Sequence, residues 1–135
     1  MTFLFKEEPA NYSFDAFERD GAATWTGVKN PVAQKHLRSV RKDDLIFYYH
    51  TGTERAIVGI ARATGDAYPD PADASGRSYV VDLAPVRKLA RPVTLAEVKA
   101  DPRFASCPLT RVPRLSVMPV AEQEWAAILE MSGSA

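Results

Sequence analysis

The side chains best placed to do chemistry gather in one stretch, Ala23-Thr24-Trp25-Thr26-Gly27-Val28-Lys29-Asn30-Pro31. A large flat aromatic stands among small residues and a glycine, and Asn30-Pro31 then opens a helix. Asn is a strong N-cap, and Pro at the first helical position gives up no needed donor. The spacing predicts that Trp25 lies on a loop just before a helix N-terminus, where backbone N–H groups point outward. A π-face beside free amide donors suits a planar polar ligand such as a nucleobase. On spacing alone, the plainer reading has Trp25 plugging a core beneath that loop.

Other reactive side chains are sparse. His36 and His50 are far apart, and Cys107 is the lone cysteine. No metal site of cysteine–histidine spacing follows, so neither a metal nor a cofactor is expected. Cys107 beside Pro108 reads as a loop or half-buried thiol, and a lone thiol fits a reducing cytoplasm, the expected location. Met1 leads into an apolar run with no basic segment, so no secretory leader is expected. No apolar run approaches the length of a membrane span, and no membrane partner is expected.

Lys plus Arg number 17, as do Asp plus Glu, so the 135-residue chain is neutral overall. The distribution is less even. Between Val28 and Arg62 stand Lys29, Lys35, Arg38, Arg41, Lys42, Arg55 and Arg62 against Asp43, Asp44 and Glu54. Between Pro85 and Arg114 stand Arg87, Lys88, Arg91, Lys99, Arg103, Arg111 and Arg114 against Glu97 and Asp101. Such asymmetry allows a phosphate-binding face, and equally a solvated surface of mixed charge.

The elements that must position these residues follow from pattern. Residues 1–135 read as one domain, large enough for a core without staples. Thr2–Phe5 is a strand, stopped near Pro9. Ser13 caps a short helix over Phe14–Arg19, with Gly21 as its stop. The helix after Asn30 buries Ala33, Leu37 and Val40. Leu45–His50 is a central strand, with Phe47 and Tyr49 on one face and Tyr48 and His50 on the other. A turn at Thr51–Glu54 leads into a partner strand, Ala56–Ala63, where Gly59 marks a close approach or a bulge. Tyr68–Gly76 is a long loop, Ser78–Ala84 a strand bending at Pro85, and Arg87–Val93 extended. Thr94 and Glu97 form a capping box on a short helix over Leu95–Ala100. Asp101–Pro113 is irregular, Leu115–Met118 a last strand, and Glu122–Met131 a closing helix with Trp125, Ile128 and Leu129 at core spacing. The set predicts an α+β fold, a small mixed β-barrel with short helices packed at its ends.

In their order, these pieces resemble the EVE domain, a PUA-like family related to YTH domains. The resemblance rests on Phe3-Leu4-Phe5-Lys6-Glu7-Glu8-Pro9 with Tyr12-Ser13, Trp25-Thr26-Gly27-Val28-Lys29-Asn30, Tyr49-His50-Thr51, Val58-Gly59-Ile60-Ala61, Tyr68-Pro69-Asp70, and Arg114-Leu115-Ser116-Val117 with Pro119-Val120. It implies a PUA-like barrel and a non-enzymatic module that reads a methylated or hydroxymethylated base in an aromatic pocket. It implies DNA or RNA as partner, and a monomer is expected. Trp25 is assigned the stacking face. Phe3, Lys6, Glu7, Thr26, Gly27, Val28, Asn30, Tyr49, His50, Thr51 and Tyr68 complete the implied pocket, and Lys29, Lys35, Arg111 and Arg114 the phosphate contacts.

The family has Trp where this chain has Phe3, and Lys-Ser-Glu-Pro where it has Lys6-Glu7-Glu8-Pro9. Glu7 replaces a hydroxyl that borders the pocket in related readers with an acceptor-only anion, which favours base edges presenting N–H donors. Two other readings stay open. ASCH domains are similar in architecture, and Lys6, Glu8 and Thr51 can mimic their hydrolytic set if the fold brings them together. A protein-interaction module is the third.

Overall fold

The computed structural model describes residues 1–134. Its centre is β3 (Leu45–His50), a run of apolar and aromatic residues buried on both faces from Ile46 onward. Beside it lie β1 (Thr2–Glu7), parallel, and β4 (Ala56–Ala63), antiparallel. A 16-residue strand, β6 (Tyr79–Thr94), pairs with β4 and, through its first half, with β2 (Ala23–Trp25). Adding β7 (Val117–Val120) beyond β1 gives the order β2-β6-β4-β3-β1-β7, with the short β5 (Tyr68–Pro69) on β6. This seven-strand sheet curls into a half-barrel.

The curl has local causes. Register slips between Tyr48 and Tyr49 on β3, against Gly59 and Ile57, leaving Val58 as an extra residue on β4. It slips twice more along β6, once beside Pro85. Extra residues of this kind bend and twist a strand.

Strand alternation then sorts the aromatics. Phe47 stacks on half-buried Trp125, centroids 3.7 Å apart, beneath α6 (Glu122–Met131). On the opposite face Tyr48 meets Phe14, Phe17 and Trp25 at 5.3–5.6 Å. Phe14 and Phe17 belong to α2 (Phe14–Asp20), capped by the Ser13 hydroxyl and ended by Gly21 at φ +76°. Before it comes α1 (Pro9–Tyr12), a single turn begun by Pro9 at N1. Pro9 thus starts a helical turn as well as stopping the strand.

The helix α3 (Pro31–Arg38) starts on the Asn30 cap and buries Ala33 and Leu37, with Val40 just beyond it also in the core. The Thr94–Glu97 capping box opens α4 (Leu95–Ala100). The expected irregular stretch 101–113 instead folds into a 3-10 turn (Pro102–Phe104) and α5 (Pro108–Arg111). Each begins with a proline at its first position, where the missing N–H costs nothing. No described helix is long and apolar enough to cross a membrane.

Candidate functional site

The C-terminal end of β1 and the exit of β2 border an open cavity of about 580 Å³, lined by Glu7, Asn11, Tyr12, Ala23–Thr26 and Gly27. Each wall is held for a local reason. The Glu7 carboxylate accepts from the Glu8 N–H at 2.9 Å and from Asn11 Nδ2 at 3.2 Å, which aims it from the start of α1. The Tyr12 hydroxyl donates to Asp20 Oδ2 at 2.8 Å. Burial, and then the hydrogen bond to that carboxylate, push the Tyr12 phenol up to about 12, so it stays a neutral donor. Tyr48 donates its hydroxyl to the Tyr12 carbonyl, and burial followed by the nearby Glu7 charge raises its own pKa further still. The wall formed by α1 is thereby pinned to the central strand.

The opposite wall is the segment 23–27. Trp25 ends β2 rather than lying on a loop, because its backbone pairs with Val81 of β6. Its indole packs on Phe5 at 5.4 Å and edge-on to Tyr48 at 5.5 Å, leaving it 6% exposed. Trp25 is therefore almost wholly packed and offers the cavity little free ring surface. Thr26 and Gly27 are exposed beside it, with Gly27 at φ +77°, a turn that favours glycine. Gln34, 7% exposed, holds the chain just past this segment. It donates to the Val28 carbonyl at 2.7 Å and exchanges bonds with the Tyr79 backbone.

The other residues expected in one pocket are spread by the strand period. Lys6 and Tyr49 are register partners on the face opposite Trp25, and Lys6 Nζ lies 5.4 Å from the Tyr49 centroid. With Thr51 they line a second cavity of about 600 Å³, where Glu7, Glu8, Arg55, Lys99 and Arg114 also stand. Phe3 is fully buried in the core and borders neither cavity, a correction set by its inward strand position. His50 is also removed from the base pocket. Its Nε2 accepts from the Phe14 N–H at 3.0 Å, which places the proton on Nδ1, 2.8 Å from Glu54 Oε1. Tyr68 donates to Asp82 Oδ1 at 3.0 Å and borders neither cavity.

Asn30 is consumed as a cap, accepting from the N–H groups of Val32 and Ala33 at 2.9 and 3.1 Å. Val28 is half-buried, with its carbonyl tied to Gln34. Of the expected phosphate contacts, Arg114 lines the second cavity. Lys29, Lys35 and Arg111 are exposed on a loop and on short helices, outside both cavities. Lys6, Glu8 and Thr51 do share the second cavity, and the Thr51 hydroxyl donates to Glu8 Oε2 at 3.3 Å. Lys6, its pKa lowered by burial, donates instead to the Pro113 carbonyl at 2.8 Å.

Asn11, Tyr12 and Gln34 were not among the expected pocket residues, although Tyr12 stands in one of the motifs on which the resemblance rests. Asn11 follows Glu7 by four residues, and Gln34 adjoins the Ala33–Leu37 stripe. Those spacings were the available signal.

A mixed α+β half-barrel with an open cavity at the ends of β1 and β2 is the class that this architecture defines. Within that class the chain belongs to the EVE domain family, whose model matches residues 1–131. Rpa0253 from Rhodopseudomonas palustris is 44% identical, with a TM-score of 0.93 over 98% of this chain and 92% of that one. Mouse thymocyte nuclear protein 1 is 30% identical over 81% of this chain and 58% of its own length, so the chain spans little more than half of that relative. The human THYN1 protein, solved in complex with 5-methylcytosine containing DNA, shares the fold at a TM-score of 0.89, covering 97% of this chain and 96% of that one, with 24% identity.

Proposed function

We propose that this domain is a non-enzymatic reader that takes a modified base of DNA, a methylated or hydroxymethylated cytosine first among them, into the Trp25 cavity. The observation that carries the reading is the convergence on one cavity of the Trp25 side chain, the oriented Glu7 carboxylate and the exposed residues Thr26 and Gly27. Glu7 is the acidic side chain among its lining residues, and a carboxylate accepts only. That matches the N4 amino donor of a cytosine. The 5-methylcytosine DNA bound by the human relative supports the same ligand.

Magnitudes set what the cavity must do. An aromatic contact contributes about 0.5–1.5 kcal/mol, and a hydrogen bond to a charged group about 1.5–3 kcal/mol. A micromolar dissociation constant needs about 8 kcal/mol, so backbone donors and flanking phosphates must supply the remainder. One added methyl is worth about 0.8 kcal/mol, which limits the preference for methylated over plain cytosine to a few-fold.

The test is a fluorescence titration in a Trp125→Phe background, so that emission comes from Trp25 alone. Single-stranded DNA with cytosine, 5-methylcytosine or 5-hydroxymethylcytosine is the ligand. Saturable change in Trp25 emission, a few-fold preference for a modified base, and roughly tenfold weakening in Glu7→Gln are expected, the last matching loss of a charged hydrogen bond. Binding that leaves Trp25 emission unmoved, or that ignores Glu7→Gln, refutes the reading. A reader also releases its ligand unchanged, so no free base or acyl group should accumulate on long incubation.

A further inference from the structure

The Trp25 cavity has unlike neighbours on its two sides. On one side it shares Ala23 and Thr24 with a depression whose acidic lining residue is Asp82 and which has no lining cation. Asp82 is fixed there by the hydroxyls of Thr24 at 2.7 Å and Tyr68 at 3.0 Å. On the other side it shares Glu7 with the second cavity, which is lined by Lys6, Arg55, Lys99 and Arg114. Arg55 and Lys99 continue into the next depression along the same surface.

None of these cations forms an ion pair among the described residues. Glu7 and Glu8 share their cavity and count against them, so its lining carries an excess of two positive charges, four cations against two carboxylates, where the Asp82 side carries none. Lys6 is turned onto the Pro113 carbonyl and Arg55 spends its Nε on the Gly52 carbonyl at 3.2 Å, which leaves the terminal guanidinium nitrogens of Arg55, with Lys99 and Arg114, open to a ligand. The cavity offers no stacking face. Tyr49 is 3% exposed and its ring is already met by the Lys6 ammonium. Its chemistry is that of a sugar–phosphate seat, not of a second base site.

We infer that the domain reads strand direction: the DNA backbone leaves the Trp25 cavity past Glu7 and lays its next phosphates on Arg55, Lys99 and Arg114, while the Asp82 side repels phosphate. This rests on the base-reading function proposed above. A strand entering with opposite polarity presents its flanking phosphates to Asp82 and gains nothing from them.

The experiment compares short single strands carrying 5-methylcytosine at the 5′ end or at the 3′ end, with 5-methylcytidine as the unflanked control. One end-labelled strand should bind more tightly than the other, with a log–log salt slope of about −2, the value for three contacts on a single strand. The other should bind like the free nucleoside, with little salt dependence. The triple variant Arg55→Gln, Lys99→Gln, Arg114→Gln changes exposed side chains only, and circular dichroism checks its fold. It should erase the difference between the strands and leave nucleoside binding intact. Equal affinities for the two strands, or a difference that survives the triple variant, overturns the inference and leaves base reading standing. Loss of Trp25-dependent binding for every ligand, nucleoside included, overturns both.

Discussion

Replacing Gly59 with alanine tests how tightly the site is tied to the core. Gly59 pairs with Tyr48 in the middle of the sheet, and a Cβ there falls 2.5 Å from Phe14 Cζ and 2.6 and 2.7 Å from its two Cε atoms. The ring has nowhere to retreat. Phe14 is 1% exposed, edge-on to Phe17 at 5.7 Å and to Tyr48 at 5.3 Å, and its N–H is bound to His50. Overpacking of this kind costs about 1–3 kcal/mol. The narrower unfolded ensemble of alanine returns about 0.4–1 kcal/mol. A net loss of about 1–2 kcal/mol lowers the urea midpoint by roughly 1 M at an m-value within the usual range. Because Phe14 starts α2, and α1 just before it carries Asn11 and Tyr12, ligand affinity should fall as well. Urea unfolding followed by tryptophan emission measures the first effect. Trimming the ring in the double variant Gly59→Ala, Phe14→Leu should recover part of the loss relative to additivity. An unchanged or raised midpoint in Gly59→Ala, or strict additivity in the double variant, refutes the steric account.

Glu97 is held down to about 2 by its Arg91 partner and then by the Thr94 N–H. A depressed carboxylate stabilises the fold fully above its ordinary value of 4.5 and loses that contribution as pH falls toward 2. Solvent screening and cap geometry limit the effect to about 0.5–1 kcal/mol. The difference in urea midpoint between wild type and Glu97→Gln should therefore be clear at pH 7 and shrink by roughly half or more at pH 3, and a difference constant with pH would contradict this. His50→Leu orphans the buried Phe14 N–H and should cost about 1–3 kcal/mol in the same assay. Base preference should be unaltered, and a changed preference would return His50 to the ligand site.

Elements with a local signature could be read from sequence. Ser13, Asn30 and the Thr94–Glu97 pair each fix a helix start through side-chain bonds to backbone a few residues on, and the structure shows all three. The β-rich Leu45–His50 run is central as expected. Single-turn elements were missed. The prolines at positions 9, 102 and 108 begin turns closed by a few local backbone bonds, as from the Tyr12 N–H to the Glu8 carbonyl and from the Ala105 N–H to the Pro102 carbonyl, too short to leave a periodic pattern. The site was legible in part: Glu7, Trp25, Thr26 and Gly27 meet at one cavity. Tyr49 and His50, adjacent on one strand, were assigned to one pocket against their own alternation, and the sheet separates them. Gln34 was invisible because its meaning lies in Tyr79, a partner brought near only by the fold.

The seating of β1 between β3 and β7 bears on how the chain folds. Its parallel neighbour lies beyond the whole crossover that builds the Trp25 wall, and its other neighbour, Val117–Val120, comes near the end of the described chain. During synthesis the apolar Phe3-Leu4-Phe5 run therefore emerges long before either edge exists to pair with it. Pairings of such sequence separation form slowly, and unpaired strands are sticky while they wait. Glu7 rides on that strand, and Trp25 on β2, whose own partner β6 starts only at Tyr79, so the two walls of the cavity come together only after both long-range pairings have formed. A nascent or truncated chain should thus hold no partial reader, only an exposed strand that chaperones must shield.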